Sequence, residues 1–222
     1  MATGGGREEW YRALRRRMVD EQIRARGVRD RRVLQAMEDV PRHLFVGEAQ
    51  RENAYQDCPL PIGHGQTISQ PYMVAVMTEC LELRGDERVL EVGTGSGYQA
   101  AVLGRLAREV LTVERIAPLA AEAARCLRAL GYANVQVRLG NGTLGLPDEA
   151  PFDRVLVTAA GPAIPRALVA QMAEGGIIVA PVGEAHFAQT LMVGRKAAGC
   201  LTAREVLDCI FVPLVGAEGW AA

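Results

Sequence analysis

Three glycines at alternate positions, Gly93, Gly95 and Gly97, stand in the run Glu91-Val92-Gly93-Thr94-Gly95-Ser96-Gly97. The run follows a short apolar stretch, residues 88–92, and opens a helical pattern over 97–107. Glycines let a backbone turn sharply and lie flat against a ligand, so strand, loop and helix in this order form a cofactor cradle. Two cofactors compete for it. The dinucleotide fingerprint wants Gly or Ala at the sixth position from Gly93, where this chain has Tyr98. Glu91 would also set a carboxylate beside a pyrophosphate, at a cost on the order of a few kcal/mol. S-Adenosylmethionine has no phosphate. It carries a sulfonium and an ammonium, which a carboxylate attracts, so the loop reads as a site for that cofactor. Glu114 ends the next apolar run, where an acid can accept hydrogen bonds from both ribose hydroxyls. Asn141, in Gly140-Asn141-Gly142, follows the third run. Its side-chain oxygen can accept a bond from an adenine amine, although Asn-Gly is also an ordinary turn.

These residues need a scaffold, and the chain after Gly85 supplies one. Strand patterns at 88–92, 110–114, 135–139, 153–157, 176–181, 190–193 and 205–212 are interleaved with helical patterns at 97–107, 118–130 and 165–174. Such alternation predicts an α/β fold: a Rossmann-like, doubly wound, mostly parallel sheet with helices on both faces. Ligands then sit at the carboxyl ends of the strands, where strand order reverses. Residues 7–40 read as two helices separated by Gly27, and residues 1–6 as a disordered leader. Residues 41–69 lack periodicity yet carry apolar side chains, which suits a functional loop. Pro71 fits the first position of a further helix. The expected organisation is one methyltransferase domain, 1–222, with a helical and loop lead-in over 7–85 and a cofactor-binding α/β core over 86–222.

Bulk properties narrow the class. The 222 residues, 49% hydrophobic and 23% charged, carry a net charge of −1, so no overall field advertises a nucleic acid or a membrane. The uncharged stretch 155–165 falls far short of the ~20 apolar residues a spanning helix needs. Five cysteines without a C-x-x-C and three histidines give no metal cluster and fit a reducing, cytoplasmic setting. Nine arginines face three acids between Arg12 and Arg32, which reads as a solvated face before an RNA-binding helix. Lys196 is the only lysine.

The methyl acceptor has to be read elsewhere. After the fourth strand pattern the chain has Thr158-Ala159-Ala160-Gly161-Pro162, not the Asn/Asp-Pro-Pro-aromatic motif of enzymes that methylate nucleobase amines. The segment Pro61-Ile62-Gly63-His64-Gly65-Gln66-Thr67-Ile68-Ser69-Gln70-Pro71-Tyr72 closely resembles the active-site signature of protein-L-isoaspartate O-methyltransferases. Val40-Pro41-Arg42, Leu90 to Tyr98, Val113-Glu114-Arg115, Pro151-Phe152-Asp153, Val157 to Ala160, Gly175-Gly176 and Phe211-Val212-Pro213-Leu214 match in the same order. The resemblance covers about residues 18–215.

It implies methyl transfer from S-adenosylmethionine to the free α-carboxylate of L-isoaspartyl residues in damaged proteins. The ester then closes to a succinimide, and S-adenosylhomocysteine is the by-product. Carried over residue by residue, it implies Ser69 as the active-site serine. Thr67, Ile68, Glu91, Gly93, Thr94, Gly95, Ser96, Gly97, Glu114, Arg115, Asn141 and Gly142 would hold the cofactor. Thr67, Ser69, Val212, Pro213, Leu214 and Val215 would hold the substrate, with Phe211 at the start of the closing segment. The leading reading is a cytoplasmic, monomer-competent enzyme whose partners are isoaspartyl peptides and proteins.

The chemistry agrees with this. A carboxylate is ionised at neutral pH and needs no general base, so Ser69 would position the acceptor and not attack it. A serine capping the helix at Pro71 is the bland reading of the same residue. His64, between two glycines, reads as a loop residue. The family has Asp where this chain has Asn141, a loss of roughly 1 kcal/mol of cofactor affinity, checked by titrating Asn141→Asp against the parent. The competing readings are a methyltransferase for a small-molecule carboxylate, an RNA-binding scaffold built on the arginine-rich helix, and, last, a nicotinamide oxidoreductase.

Overall fold

The computed structural model describes residues 4–185 and 187–221. The lead-in is helical. Helix α1 (Gly4–Arg17) runs on through a π-helical turn (Met18–Ile23) and a 3-10 turn (Arg24–Arg26), and Gly27 at φ 107° ends it. The expected leader is thus corrected in part: Gly4 to Gly6 form the first turn of α1, and residues 1–3 lie outside the described chain. Helix α2 (Arg31–Asp39) starts at Asp30, whose carboxylate accepts from the Arg32 and Val33 N–H groups. The loop 41–69 is more structured than its sequence implies. It holds two 3-10 turns (Arg42–Phe45 and Glu48–Asn53) and a hairpin of β1 (Leu60–Gly63) and β2 (Gln66–Ile68). Helix α3 (Pro71–Cys80) begins at Pro71, as the sequence predicts.

The core follows as β3 (Arg88–Val92), α4 (Tyr98–Gly104), β4 (Glu109–Glu114), α5 (Ala117–Ala129), β5 (Val135–Leu139), β6 (Phe152–Val157), α6 (Arg166–Ala170), β7 (Met172–Gly183), β8 (Gln189–Ala197) and β9 (Cys200–Cys209). One seven-stranded sheet results, in the order β5-β4-β3-β6-β7-β8-β9. The pairs from β5 to β7 are parallel, and β7-β8 and β8-β9 are antiparallel. The order reverses between β3 and β6, which places a crevice at their carboxyl ends. Residues alternate between the two faces. Val89 joins the lead-in helices and α4 in one apolar cluster, while Leu90 and Val92 join Leu168 of α6 in the other.

Several boundaries differ from the sequence reading: α4 ends at Gly104 instead of 107, and β7, β8 and β9 begin at Met172, Gln189 and Cys200, ahead of the expected 176, 190 and 205. The helix expected over 165–174 stops at Ala170, because Met172 already pairs with Phe152 and is buried. The only lysine closes that helix end: Lys196 Nζ donates to the carbonyls of Val169 and Met172 at 3.0 and 2.8 Å. The strand expected over 205–212 ends at Cys209, and Val212 leaves the sheet edge. The arginine-rich start pairs with itself through Arg17–Glu21 at 2.7 Å and Arg24–Asp20 at 3.1 Å, while Arg26 meets Asp57 at 2.7 Å, as a solvated face would.

Candidate active site

The crevice holds a cleft whose floor is the glycine loop. Past β3 the chain bends back over β4, with the N–H groups of Gly93 and Thr94 donating to Val113 O at 2.9 and 3.3 Å. Gly93 sits at φ 97°, and a Cβ there would overlap Thr158 Oγ1. That hydroxyl lies 2.7 Å from Gly93 O and 3.0 Å from Val92 O, so the end of β6 braces the loop. Glu114 braces it from β4: Oε2 accepts from Gly95 N and Oε1 from Ile116 N, each at 2.9 Å. Gly142 closes the far side, where a Cβ would stand 2.5 Å from Val92 Cγ1. Gly93, Gly95, Glu114, Arg115 and Gly142 all line this cleft, together with Thr67 and the segment from Val212 to Val215.

Other expected cofactor residues are placed differently. Ile68 is buried in the lead-in core and does not line the cleft. The Thr94 hydroxyl is buried against Thr112 at 2.6 Å, beneath the loop. Ser96 accepts from Tyr98 N at 3.3 Å and faces a separate groove under the β1–β2 hairpin. Gly97, at φ 87°, lets the loop approach α5, since a Cβ would meet Ala123 and Leu127 at 3.3 Å. Asn141 Oδ1 is engaged locally, accepting from Thr143 N at 3.1 Å and Thr143 Oγ1 at 2.8 Å, so an adenine amine would have to share it.

Glu91 departs most from the charge argument. Its carboxyl is fully buried, does not border the cleft, and neither oxygen has a hydrogen-bond partner. Burial pushes it up to about 8, against a lesser pull from the Thr112 hydroxyl, and the Glu114 charge adds to the rise. Near neutral pH the group is therefore mostly uncharged, and its influence on a cationic ligand is indirect. The folded protein holds this proton more tightly than the unfolded chain, whose value is 4.5. The associated stability is full below pH 4.5 and is lost as pH rises to about 8, by about 5 kcal/mol in all. Glu91→Gln should flatten the fall in stability between pH 4.5 and about 8 and leave stability in mild acid little changed, as urea unfolding near pH 5 and near pH 8 would show.

Ser69 opens onto a neighbouring cleft with Tyr72, Gln189, Phe211 and Val212. Thr67, Thr158 and Val212 border both clefts and form the wall between them. Ser69 is not a helix cap: Gln70 occupies that position and α3 has no side-chain cap, so the hydroxyl has no such structural duty. Its backbone is fixed from behind. Arg42, fully buried, donates from Nη2 to Ser69 O at 2.8 Å and from Nε to Ala54 O at 2.7 Å, with its guanidinium 4.8 Å from the Tyr98 ring. His64 sits exposed in the hairpin turn at φ 52°.

Residues beyond the reach of sequence reasoning hold the other wall. Gln189, 1% exposed, brackets Phe211 by accepting from its N–H at 2.6 Å and donating to its carbonyl at 3.2 Å. This side chain replaces the next rung of the β8–β9 ladder and releases the chain toward Ala160. There Ala160 N donates to Val212 O, and Leu214 N to Ala160 O, both at 2.8 Å. Gln189→Leu should leave two backbone groups unsatisfied, costing about 2 kcal/mol of stability. It should raise KM for the acceptor peptide more than it weakens cofactor binding, which separate titrations would resolve. Only the 3D pairing reveals Gln189, Thr158 and Arg42; the Val-Pro-Arg and Thr-Ala-Ala matches were the available signals for the last two.

A model of the family "Protein-L-isoaspartate(D-aspartate) O-methyltransferase (PCMT)" matches residues 13–219. The protein-L-isoaspartate O-methyltransferase of Trichlorobacter lovleyi is 56% identical over 207 residues, 93% of this chain and 95% of that one. Protein-L-isoaspartate O-methyltransferase 1 of Rhodopseudomonas palustris is 54% identical, over 96% of this chain and 87% of its own. A solved protein-L-isoaspartate O-methyltransferase superposes with a TM-score of 0.82 at 28% identity, over 96% of this chain and 67% of that one. A Plasmodium falciparum protein-L-isoaspartate O-methyltransferase, solved in complex with S-adenosyl-L-homocysteine, gives 0.79 at 25% identity, over 90% of this chain and 98% of that one. With its braced glycine loop beside a serine-bearing cleft, this chain belongs to the protein-L-isoaspartate(D-aspartate) O-methyltransferase family.

Proposed function

We propose that this chain transfers a methyl group from S-adenosyl-L-methionine to the α-carboxylate of L-isoaspartyl residues in damaged proteins. The ester then closes to a succinimide in solution. One observation carries the reading: two clefts meet at a thin wall of Thr67, Thr158 and Val212, one floored by the glycine loop and the other bearing Ser69.

The first cleft suits the cofactor. The absence of Cβ atoms at Gly93 and Gly142 lets the backbone pack closely against Thr158 and Val92 and so shapes the cleft floor, and Glu114 keeps lone pairs beyond its two backbone bonds for ribose hydroxyls. Bound there, S-adenosylmethionine supplies an electrophilic methyl group. Gly93, Gly95, Glu114, Arg115 and Gly142 would hold it, with Thr67 at the shared wall. The protein's own part is alignment and exclusion of water. Ser69 donates to the acceptor carboxylate and orients it. The segment from Val212 to Val215 lies along the acceptor backbone, fixed by Gln189 and Ala160. No base is required, since the acceptor is ionised at neutral pH.

The chain acts as one domain, monomeric and cytoplasmic, on isoaspartyl peptides and proteins and without nucleic acid. Five cysteines free of disulfides suit a reducing compartment. No described helix is long and apolar enough to cross a membrane.

The test is methyl transfer from labelled S-adenosylmethionine to one peptide in isoaspartyl and normal aspartyl forms. Base-labile label on the isoaspartyl form alone, lost in Ser69→Ala, is the expected result. Label on neither form, with the cofactor still bound, would overturn the protein substrate in favour of a small carboxylate.

A further inference from the structure

The chain has three asparagines, and only Asn141 precedes a glycine; Asn53 precedes alanine and Asn134 precedes valine. Asparagine before glycine is chemically exposed, because no Cβ shields the following main-chain nitrogen. That nitrogen can attack the side-chain carbonyl carbon. Here the new bond would join Gly142 N to Asn141 Cγ. The Cγ–Nδ2 bond breaks, the Gly142 N–H proton passes to the departing nitrogen, and ammonia leaves a succinimide. Water opens the ring at either carbonyl, giving aspartate or isoaspartate.

The surroundings of Asn141 bear on both halves of this reaction. The residue is exposed. Attack puts negative charge on Oδ1, which already accepts from Thr143 N and Thr143 Oγ1 at 3.1 and 2.8 Å, so two donors await the charge. The same bonds hold the side chain in one turn, at φ −82° and ψ 103°, and cyclisation requires rotation out of it. The C-terminal strap resists that rotation. Gly216 packs directly on Asn141 Oδ1, where a Cβ at Gly216 would fall. The strap is closed on itself by Trp220 N to Leu214 O at 2.7 Å and Gly216 N to Trp220 O at 3.1 Å. It is tied to the sheet by Trp220 Nε1 to Ala160 O at 3.0 Å, and to the turn by Glu218 N to Thr143 Oγ1 at 3.2 Å. Asn134, by contrast, spends its amide on the carbonyls of Gly104 and Ala107.

We propose that Asn141 is a spontaneous deamidation site at the rim of the cofactor cleft, held in check by the strap formed by residues 214–220. Gly142, the attacking residue, lines that cleft, and so do Leu214 and Val215 of the strap. A ligand filling the cleft therefore slows the reaction, and the ageing product carries a carboxylate in place of an amide beside the bound cofactor. The ligand-dependent part rests on the cofactor reading of this cleft.

The full chain is aged in mildly alkaline buffer, alone and with S-adenosylhomocysteine, and digested with trypsin. Residues 139–154 form one peptide in which Asn141 is the sole asparagine. Mass spectrometry in heavy-oxygen water records conversion there and at Asn53 and Asn134. The expected result is conversion of Asn141 several-fold faster than of the other two, slowed by S-adenosylhomocysteine and accelerated in Trp220→Ala. Conversion no faster than at Asn53 and Asn134 would overturn the site. Fast conversion indifferent to both the ligand and Trp220→Ala would overturn the control by the strap. Calorimetry of S-adenosylhomocysteine on the fresh protein separates these results from a failure of the cofactor reading: without binding, the Trp220→Ala comparison still decides the strap.

Discussion

Gly93→Ala should weaken S-adenosylmethionine binding by a factor on the order of 10², because it forces ~2–3 kcal/mol of strain into the loop that must lie against the ligand. Two separate effects add. The backbone at φ 97° is one that side chains with a Cβ rarely adopt, and the new methyl would fall on Thr158 Oγ1. Thr158 cannot simply rotate away, since its hydroxyl bonds to the carbonyls of Val92 and Gly93. Calorimetric titration would give the loss directly. Thr158→Ala alone removes the brace and should weaken binding modestly. In the double variant the collision disappears while the dihedral strain stays, so the two losses should add to less than their sum. Full additivity would mean that the methyl and Thr158 never compete.

Glu114→Gln should cost cofactor affinity on a similar scale, about 3 kcal/mol, with little change in side-chain volume. The carboxylate accepts from two backbone N–H groups, Gly95 on one oxygen and Ile116 on the other. An amide offers one acceptor oxygen. Its NH₂ must then face one of those N–H groups, donor against donor. The glycine loop loses its anchor to β4, and a ribose held as proposed would lose a charged acceptor. Glu114→Ala removes the repulsion but leaves both N–H groups unanswered, so it should bind no better. If Glu114→Gln kept full affinity, the carboxylate would serve the loop alone and the ribose would be held by other groups. Measured with Gly93→Ala, this variant separates loop shape from loop anchoring.

The elements that carry these residues are legible in the chain because they obey short-range rules. The run from Arg88 to Val92 followed by three alternate glycines specifies strand, turn and helix without help from the rest of the molecule. Pro71 announces α3 in the same way, and Gly131 ends α5 at φ 80°. The α6 boundary at Ala170 was hidden, because it is set by Met172 pairing with Phe152 and by Lys196 reaching across from β8. The hairpin of β1 and β2 was hidden for a related reason: strands of four and three residues leave too short a pattern to read.

The candidate site divides along the same line. Backbone-defined members, Gly93, Gly95, Gly97 and Gly142, could be named from residue type, since what matters there is a missing Cβ. Glu114 could be named from its place at the end of a strand. Charge and partnership could not. Glu91 looks like an anion waiting for a cation, yet in the fold it is a buried acid pushed up to about 8. Asn141 looks like a free acceptor, yet Thr143 takes its oxygen. Arg42, Thr158 and Gln189 act through atoms 27, 65 and 22 positions away in the chain. The linear chain therefore specifies the loop, the strand ends and the kinship of the protein, all local in kind. The ionisation of Glu91, the bracing of the two clefts and the wall between them arise only when distant segments exclude water together, because desolvation and hydrogen bonding depend on neighbours in space.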